Sequence, residues 1–263
     1  MITSPSNQRI KNVIQLVNRG RARREQNCYI VEGIRMFREA PREQIREIYM
    51  TNRLCEKESL SDCFSWGIPC ELVSEEVFAR ISDTKTPQGI LCVMERPAYD
   101  LDTYLAKQNG LWIVLENLQD PGNLGTIFRT GEAAGVTGII MNSTTVDIFN
   151  PKSIRSTMGS VYRVPFFIVP ELKDVFEKFQ ANEITSYAAD LKAEISYDKQ
   201  DYSRGTAFLI GNEGNGLTKE TAALATKYLR IPMEGQVESL NAAMACGILI
   251  YEAHRQRGVT EWF

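Results

Sequence analysis

The sequence predicts an α/β protein in two parts, a small N-terminal α/β domain followed by a domain built on a largely parallel sheet. Short apolar runs rich in β-branched residues alternate with segments of helical periodicity along the 263 residues, as in α/β folds. This alternation lapses around residues 95–103, where a proline stands among charged residues and indicates a linker. We therefore expect one domain over 1–96, a linker over 97–110 and a second domain over 111–263.

Local patterns place the elements of the N-terminal domain. Isoleucine and valine recur at helical spacing over 6–23, which predicts one basic amphipathic helix. A strand is predicted over 28–33 and a helix over 34–40, and further strands are predicted at 45–51, 71–74 and 89–94. Strands and helices that alternate over so short a length favour a small α/β domain.

The C-terminal domain carries six predicted strands, separated mostly by helical patterns. The strands are expected at 111–116, 138–142, 164–169, 184–189, 206–211 and 228–232. Strands that alternate with helices pair in parallel, with the helices on both faces of the sheet. Helices are predicted over 124–134 and, near the end of the sequence, over 240–257.

Composition limits the kinds of protein that this chain can be. With 43% hydrophobic and 24% charged residues, it has the balance of a water-soluble globular protein. No apolar run is long enough to span a bilayer and the N-terminus lacks the apolar core of a signal peptide, so we expect a cytoplasmic protein without a membrane segment. The six cysteines form no C-x-x-C pair and the chain has one histidine, His254, so we expect reduced thiols and no metal site.

Charge is distributed unevenly along the chain. The net charge is −3, yet residues 1–24 hold six Lys or Arg and no acidic residue. Four more arginines follow over 35–46, where they are mixed with glutamates. Such a stretch is typical of a segment that contacts a polyanion, and a solvated basic face explains it equally well when it is considered alone.

Two polar loops each lead from a predicted strand into a helix. The first ends at Asn123, and Arg129 follows about two turns into the helix. The other, over 231–241, places Ser239 and Asn241 where the last helix starts. Each loop has a purely structural explanation, a surface arginine in the first case and helix N-caps in the other. The loop over 231–241 also gathers a carboxylate, a hydroxyl and an amide, which is typical of a pocket rim.

A further loop, over 211–216, is rich in glycine and follows the strand predicted at 206–211. It lacks the Gly-Lys-Ser/Thr of a phosphate-binding P-loop, and it lies too late in its domain for a dinucleotide fingerprint. A nucleotide-binding enzyme is therefore the weaker interpretation. Glycines that let the backbone approach a ligand closely explain the composition better.

Taken together, the three loops resemble, in sequence and in order, the three signature motifs of the SpoU (TrmH-like) RNA ribose 2′-O-methyltransferases of the SPOUT superfamily. The resemblance extends over about residues 112–254. In the N-terminal domain, segments 29–35 and 86–91 resemble the L30e-like substrate-binding domain found in many of these enzymes. The family resemblance implies a C-terminal trefoil knot, a homodimer and S-adenosylmethionine as the cofactor, with no metal.

The resemblance also implies roles for particular residues. Those that match the family's catalytic centre are Asn123, Arg129, Glu213, Ser239 and Asn241. Those that match its S-adenosylmethionine site are Gly211, Ile231, Met233 and Leu240. For RNA binding we expect Arg21, Arg23, Arg24 and Arg155. We expect Arg129 to hold a substrate phosphate with its fork of N–H donors, and a general-base role stays an alternative.

These expectations define the function that we predict from the sequence. It is S-adenosylmethionine-dependent methylation of a ribose 2′-oxygen in RNA, with 23S ribosomal RNA as the expected substrate. A transfer RNA ribose methyltransferase and a non-catalytic RNA-binding module stay open as alternatives. All five polar residues of the expected catalytic centre are present, which favours an enzyme over a binding module.

Overall fold

The computed structural model describes residues 1–190, 193–237 and 239–258, which form ten strands and eleven α-helices. The strands are β1 (Cys28–Glu32), β2 (Ile45–Thr51), β3 (Cys70–Val73), β4 (Ile90–Glu95), β5 (Leu111–Leu115), β6 (Gly138–Asn142), β7 (Phe166–Val169), β8 (Thr185–Ala189), β9 (Thr206–Ile210) and β10 (Lys227–Leu229). The helices are α1 (Gln8–Asn18), α2 (Gly20–Glu25), α3 (Ile34–Glu39), α4 (Asn52–Lys57), α5 (Glu75–Ile81), α6 (Leu101–Leu105), α7 (Pro121–Ala133), α8 (Pro151–Thr157), α9 (Lys173–Ala181), α10 (Lys219–Leu224) and α11 (Ala242–Gln256). Within the described residues, no helix has the length and apolar character needed to cross a membrane.

The chain divides into two compact units. The first comprises Met1–Ala98 and Asp147–Tyr162, and the second comprises Tyr99–Val146 and Arg163–Phe263. The sequence-based division assigned 147–162 to the C-terminal domain, whereas its contacts group this segment with the N-terminal unit. The physical reason is that α8 packs against β1. The domain boundaries of the sequence analysis stay a prediction.

The first unit is built on a four-stranded sheet with the order β1-β4-β2-β3. β4 pairs antiparallel with β1 and β2, and β2 pairs in parallel with β3. All four strands lie within one residue of their predicted ends. The apolar stripe of α1 is buried in one cluster with α5 and the sheet; this cluster includes Ile10, Val13, Leu16, Val77 and Phe78. Helix α1 is therefore part of the core of this unit.

The single helix predicted over 6–23 is wrong, because the structure has two helices there. Arg19 is extended (φ −128°, ψ 110°) and separates α1 from α2. The break turns the chain so that Arg23 reaches back to the end of α1. Its guanidinium donates to the carbonyl oxygens of Leu16 (2.8 Å) and Val17 (3.1 Å). Carbonyls in the last turn of a helix lack partners within the helix, so Arg23 supplies donors that α1 needs.

Arg23 is therefore an interior residue, and its expected role in RNA binding is wrong. Only 3% of the residue is exposed, and its guanidinium also donates to the Asp147 carboxylate at 2.6 Å. A charge so enclosed is stable only while its acceptors stay in place. The side chain thus holds α1, α2 and the Asp147 segment together, and it is not exposed to a phosphate in solvent.

The second unit is built on a six-stranded sheet with the order β10-β8-β9-β5-β6-β7, in which every pair is parallel. This confirms the predicted class, an α/β fold with a small N-terminal domain and a largely parallel sheet. β5 and β9 lie at the centre and are buried along their whole length. The trefoil knot is consistent with this order of strands and stays a prediction.

Three element ends in this unit differ from the prediction for local reasons. α7 begins at Pro121, before the predicted start, because Asp120 caps it by accepting from the N–H of Asn123 at 2.8 Å and proline suits the first helical position. α11 begins at Ala242 because Asn241 is its N-cap. β10 ends at Leu229 instead of extending over 228–232, because its partner β8 ends at Ala189 opposite Leu229, and the Arg230 N–H donates to the Ile195 carbonyl instead.

Candidate active site

The carboxyl ends of β5 and β9 are adjacent because the two strands pair in parallel, and each strand leads into a polar loop. Glu116 directly follows β5 and is buried. Its carboxylate accepts from the Thr218 N–H (2.7 Å), the Thr218 hydroxyl (2.7 Å) and the Thr221 hydroxyl (2.5 Å). Thr218 is the N-cap of α10, so Glu116 fixes the start of that helix beside the end of β5. The loop between β9 and α10 is thereby held at both ends.

Glu213 joins this loop to the start of α7. Its carboxylate accepts from the backbone N–H groups of Gln119 (3.0 Å) and Asp120 (2.9 Å) and from Asn123 Nδ2 (3.0 Å). Partial burial acts to raise the pKa of Glu213, but the hydrogen bond from Asn123 and those from the two backbone N–H groups outweigh it, so the pKa is lowered. The carboxylate is therefore ionised at neutral pH and serves as an acceptor.

Asn241 extends the same network to the last helix. Its Oδ1 accepts from the N–H groups of Ala243 (2.9 Å) and Met244 (3.2 Å), which caps α11. Its Nδ2 donates to Asn123 Oδ1 at 3.0 Å. Asn123 thus donates to Glu213 and accepts from Asn241, so one chain of hydrogen bonds joins all three of the loops singled out in the sequence.

The glycine-rich loop folds back on itself. Asn212 and Gly216 exchange backbone hydrogen bonds of 3.0 and 2.9 Å, and Asn212 Oδ1 accepts from the N–H groups of Gly214 (2.9 Å) and Asn215 (3.1 Å). A Cβ on Gly211 would lie 2.1 Å from the carbonyl carbon of Gly216, which no real side chain tolerates. Gly211 is therefore required by the close approach of two backbone segments of the loop.

A cavity of about 540 Å³ lies beside this loop. Its walls are the glycine-rich loop, the ends of β8 and β9, the segment after β10 and the first turn of α11. Six of the residues singled out in the sequence line it, namely Gly211, Glu213, Ile231, Met233, Ser239 and Leu240. Polar residues beside apolar side chains such as Ala188 and Leu209 suit a ligand that is partly polar and partly apolar. Within the described ranges, no three or more His, Cys, Asp or Glu side chains gather as metal ligands would.

Arg129 lies outside this hydrogen-bonded network. It is exposed on α7 and forms no hydrogen bond or ion pair with any residue that the structure describes. The six residues from Asn123 to Arg129 correspond to about 9 Å along a helix. The part of the chain that the structure describes therefore uses none of the N–H donors of Arg129.

The four arginines expected to bind RNA all lie in the first unit. Arg21 and Arg24 are exposed, whereas Arg23 is enclosed as described above. Arg21 pairs with Glu25 one turn away at 2.6 Å. Arg155 is half-buried and pairs with Asp83 at 2.8 Å.

Asparagines at the neighbouring ends of β5, β6 and β9 also shape the site, and the sequence analysis missed them. The Asn117 N–H donates to Asn142 Oδ1 (3.0 Å), and Asn117 Oδ1 accepts from Asn142 Nδ2 (3.0 Å). The Asn117 carbonyl accepts from Asn212 Nδ2 at 2.9 Å. The signal that would have found them is an asparagine at or just after the end of each of three predicted parallel strands.

A parallel sheet whose carboxyl ends carry a polar network beside a cavity is the arrangement of an α/β enzyme that binds its ligand at the strand ends. Comparison with known proteins identifies the chain further. Residues 110–251 match the SpoU rRNA Methylase family, and residues 7–92 match the MRM3-like substrate binding domain. The chain belongs to the SpoU rRNA methylase family, as the three loops predicted.

Individual relatives match over almost the whole chain. It is 32% identical over 252 residues to the 23S rRNA (guanosine(2553)-2′-O)-methyltransferase RlmP of Bacillus subtilis, with 95% of this chain and 97% of that protein covered. The crystal structure of the SpoU methyltransferase AviRb from Streptomyces viridochromogenes with the cofactor AdoMet is similar, with a TM-score of 0.88, 27% identity and 95% and 98% of the two chains covered. An AdoMet-bound rRNA methyltransferase from Sinorhizobium meliloti gives a TM-score of 0.85 and 30% identity, with 97% of each chain covered.

We predict that Gly211→Ala abolishes cofactor binding, because the added Cβ must displace the backbone at Gly216 and with it one wall of the cavity. Gly235→Ala is the matched control, since a Cβ there meets nothing within 4 Å. The measurement is the rise in melting temperature on addition of S-adenosylhomocysteine. Equal protection of the two variants would contradict a role for the loop in forming the site.

Proposed function

We propose that this protein transfers a methyl group from S-adenosylmethionine to the 2′-oxygen of a ribose in RNA, with 23S ribosomal RNA as its substrate in the cytoplasm. The observation that carries the proposal is the hydrogen-bond chain Glu213–Asn123–Asn241. It unites three loops that match the family's motifs, and Glu213 at one of its ends also lines the cavity. Membership of the SpoU rRNA methylase family and the ribosomal RNA named for its relatives support the choice of substrate.

The residues of the cavity fit the cofactor. An adenosine and an amino-acid moiety need backbone hydrogen-bonding groups and apolar walls, and we assign Gly211, Ile231 and Leu240 to backbone contacts and Met233 to the wall. When bound, S-adenosylmethionine supplies a methyl group on a positively charged sulfur. The chain's task is then to hold the ribose oxygen in line with that group, and positioning of this kind contributes several kcal/mol to catalysis, on the order of 7–11 at most.

Asn123 and Asn241 are suited to positioning because their amides have fixed orientations. Asn123 donates to Glu213 at 3.0 Å and accepts from Asn241 at 3.0 Å, so neither amide rotates without breaking a bond. Each NH₂ group still has a second N–H for a ribose or cofactor oxygen. The carboxylate oxygens of Glu213 accept hydrogen bonds from three donors. We therefore assign Glu213 to holding this arrangement and not to removing a proton. Ser239 lines the cavity and supplies a hydroxyl there.

Arg129 is assigned to the phosphate next to the reacting ribose. Arginine side chains stay charged at neutral pH and present paired N–H donors that match phosphate oxygens. The free guanidinium on α7 satisfies this requirement because no described residue competes for it. In this role it anchors the RNA and stabilises negative charge that develops on the ribose oxygen, while the proton leaves to the phosphate or to water.

We predict that Arg129→Ala lowers methyl transfer about 10²-fold, the usual cost of losing a group that positions or stabilises the reacting centre. Arg129→Lys keeps the charge without the fork and should restore only part of the activity. Arg204→Ala, at an exposed arginine of the same unit, is the control. The measurement is transfer of tritiated methyl from S-adenosylmethionine to RNA from a strain lacking the enzyme, followed by mapping of the 2′-O-methyl site.

Three outcomes of this assay bear on the proposal. Label at one ribose of 23S RNA that is lost in Arg129→Ala supports both the reaction and the residue. Label in transfer RNA alone would replace the proposed substrate. If the wild-type protein does not bind S-adenosylhomocysteine and does not transfer label, the non-catalytic RNA-binding module would be favoured instead.

Arg21, Arg24 and Arg155 are proposed as RNA contacts through phosphates, which position a nucleic acid without reading its sequence. We predict that Arg24→Ala lowers the slope of log K against log salt by about 0.7–1 and leaves stability unchanged. Arg23→Ala should leave the salt slope unchanged and destabilise the protein by about 3 kcal/mol, because the buried acceptors around Arg23 lose their donor. RNA binding at several salt concentrations and urea unfolding measure the two effects. An unchanged slope in Arg24→Ala would remove that residue from the interface.

A homodimer is proposed from the outer face of α11. Met244 and Tyr251, seven residues apart on one face of this helix, are 60% and 46% exposed, so a partner that covered them would bury apolar surface. We predict a mass of twice 29.8 kDa by light scattering at micromolar concentration, and a shift toward monomer in Met244→Glu. Ile195→Glu, at another exposed apolar residue, is the control. A monomeric wild type would contradict the proposal.

A further inference from the structure

The first unit holds a second cavity, of about 380 Å³, that no step described so far uses. It is lined by Arg42, Glu43, Ile45, Trp66 and Ile68. Arg42 and Glu43 belong to a short 3₁₀ turn just before β2, and Ile45 is the first residue of that strand. The pocket thus combines a cation, an anion, an indole ring and aliphatic floor residues on a fixed framework.

Planar groups are already stacked at this pocket. Trp66 lies parallel to Phe37, with ring centroids 5.8 Å apart and an interplanar angle of 9°. On Trp66 also lies the Arg42 guanidinium, whose central carbon is 3.9 Å from the ring centroid. Phe37 is buried and Trp66 is half-buried, whereas Arg42 is exposed, so the stacked groups extend from the interior to the surface. Unpaired RNA bases bind to such surfaces, by stacking on aromatic rings or on arginine planes.

The two charged groups of the pocket do not neutralise each other. Arg42 and Glu43 are adjacent in sequence, yet neither forms a hydrogen bond or ion pair through its side chain with any residue that the structure describes. Glu43 therefore presents a carboxylate that accepts hydrogen bonds and has no donor assigned to it. Arg42 presents a planar cation that lies on the Trp66 ring.

The chemistry of the carboxylate selects among the four bases. A carboxylate accepts two parallel N–H bonds best, as it does from a guanidinium. Guanine alone has two neighbouring N–H donors on its Watson–Crick edge, at N1 and N2. Adenine, cytosine and uracil each offer a donor at a single position of that edge, next to an acceptor that a carboxylate repels. A stacked guanine with its edge toward Glu43 is thus the base that this lining suits best.

We propose that this pocket binds one unpaired guanine of the RNA substrate, stacked on the Arg42–Trp66 surface with its Watson–Crick edge on the Glu43 carboxylate. The inference rests on the proposed function in that RNA is the ligand. It adds a base-reading contact to a unit whose other proposed contacts are to phosphates. Such a contact selects the site on the RNA, whereas phosphate contacts select only its backbone.

Trp66 provides a direct readout with the full-length chain. The chain has three tryptophans; Trp112 is fully buried, and Trp262 lies outside the described residues. The probes are single-stranded hexaribonucleotides of uridine that carry guanosine, inosine or adenosine at one central position, with excitation at the red edge of tryptophan absorption. We expect the guanosine probe to quench fluorescence and to bind about tenfold more tightly than all-uridine RNA, the size of one stacking contact. Inosine lacks the N2 donor, so the affinity of the inosine probe should lie between those of the guanosine probe and of all-uridine RNA.

Variants assign the signal to the pocket. Trp66→Phe keeps an aromatic ring and should lose the quenching while the guanosine preference, measured by filter binding, persists. Glu43→Gln should remove the preference for guanosine over adenosine, and Arg42→Lys should weaken binding of every probe that carries a purine. Glu76→Gln and Arg80→Lys, exposed on α5 of the same unit, are the matched controls. Quenching that is equal for all probes, or a guanosine preference that survives Glu43→Gln, would overturn the proposal.

Thermal protection by S-adenosylhomocysteine and methyl transfer to ribosomal RNA are measured on the same variants. The pocket variants should keep cofactor protection and lose RNA affinity. A wild type that shows the guanosine preference but transfers no methyl group would overturn the proposed reaction and support the pocket. A wild type that transfers methyl normally without the preference would overturn the pocket alone.

Discussion

The candidate site depends on the parallel pairing of β5 with β9 at the centre of the six-stranded sheet. Because both strands end at the same edge, the loops that follow them must meet there, and two carboxylates determine how they meet. Glu116 is enclosed and anchors the start of α10, while Glu213 lies at the rim and anchors the start of α7. Hydrogen bonds to charged groups contribute about 1.5–3 kcal/mol each, more than neutral ones. The rim therefore owes its shape to charge-assisted bonds between segments distant in sequence.

Four arginines of this chain show two different uses, which follow from the acceptors around them. Arg23 and Arg257 are surrounded by main-chain carbonyls; Arg257 donates to those of Tyr202 (2.8 Å), Asn109 (2.5 Å) and Arg204 (2.5 Å), and burial lowers its pKa. These two side chains hold helix ends to neighbouring segments. Arg129 and Arg42 form no hydrogen bond with any residue within the described ranges, and the partners that we propose for them are ligands outside the chain. The residue type alone does not distinguish these uses, whereas the number of protein acceptors around the guanidinium does.

The two cavities differ in the same way that their proposed ligands differ. The cavity of the parallel-sheet unit is lined by the glycine-rich loop and by apolar side chains such as Ile231, Met233 and Leu240, which suits a cofactor bound largely through main-chain groups. The pocket of the N-terminal unit is formed by an indole, a guanidinium and a carboxylate, which suits a planar base with donors on one edge. An enzyme that modifies one ribose in a long RNA needs both kinds of recognition, one for the reacting group and one for the position on the polymer.

The sequence by itself determined the fold class, almost every strand and the three loops that carry the polar residues. The periodicity of apolar residues and the positions of glycine and proline are local properties, so they can be recognised in the sequence without knowledge of the fold. It did not determine that Asn123 bridges Glu213 and Asn241, that 147–162 packs with the N-terminal unit, or that Arg23 is buried while Arg24 beside it is not. Each of these depends on which segments the folded chain brings within about 3 Å of one another, the distance at which a hydrogen bond forms. Neighbours in sequence do not reveal those pairings, and only the tertiary structure decides them.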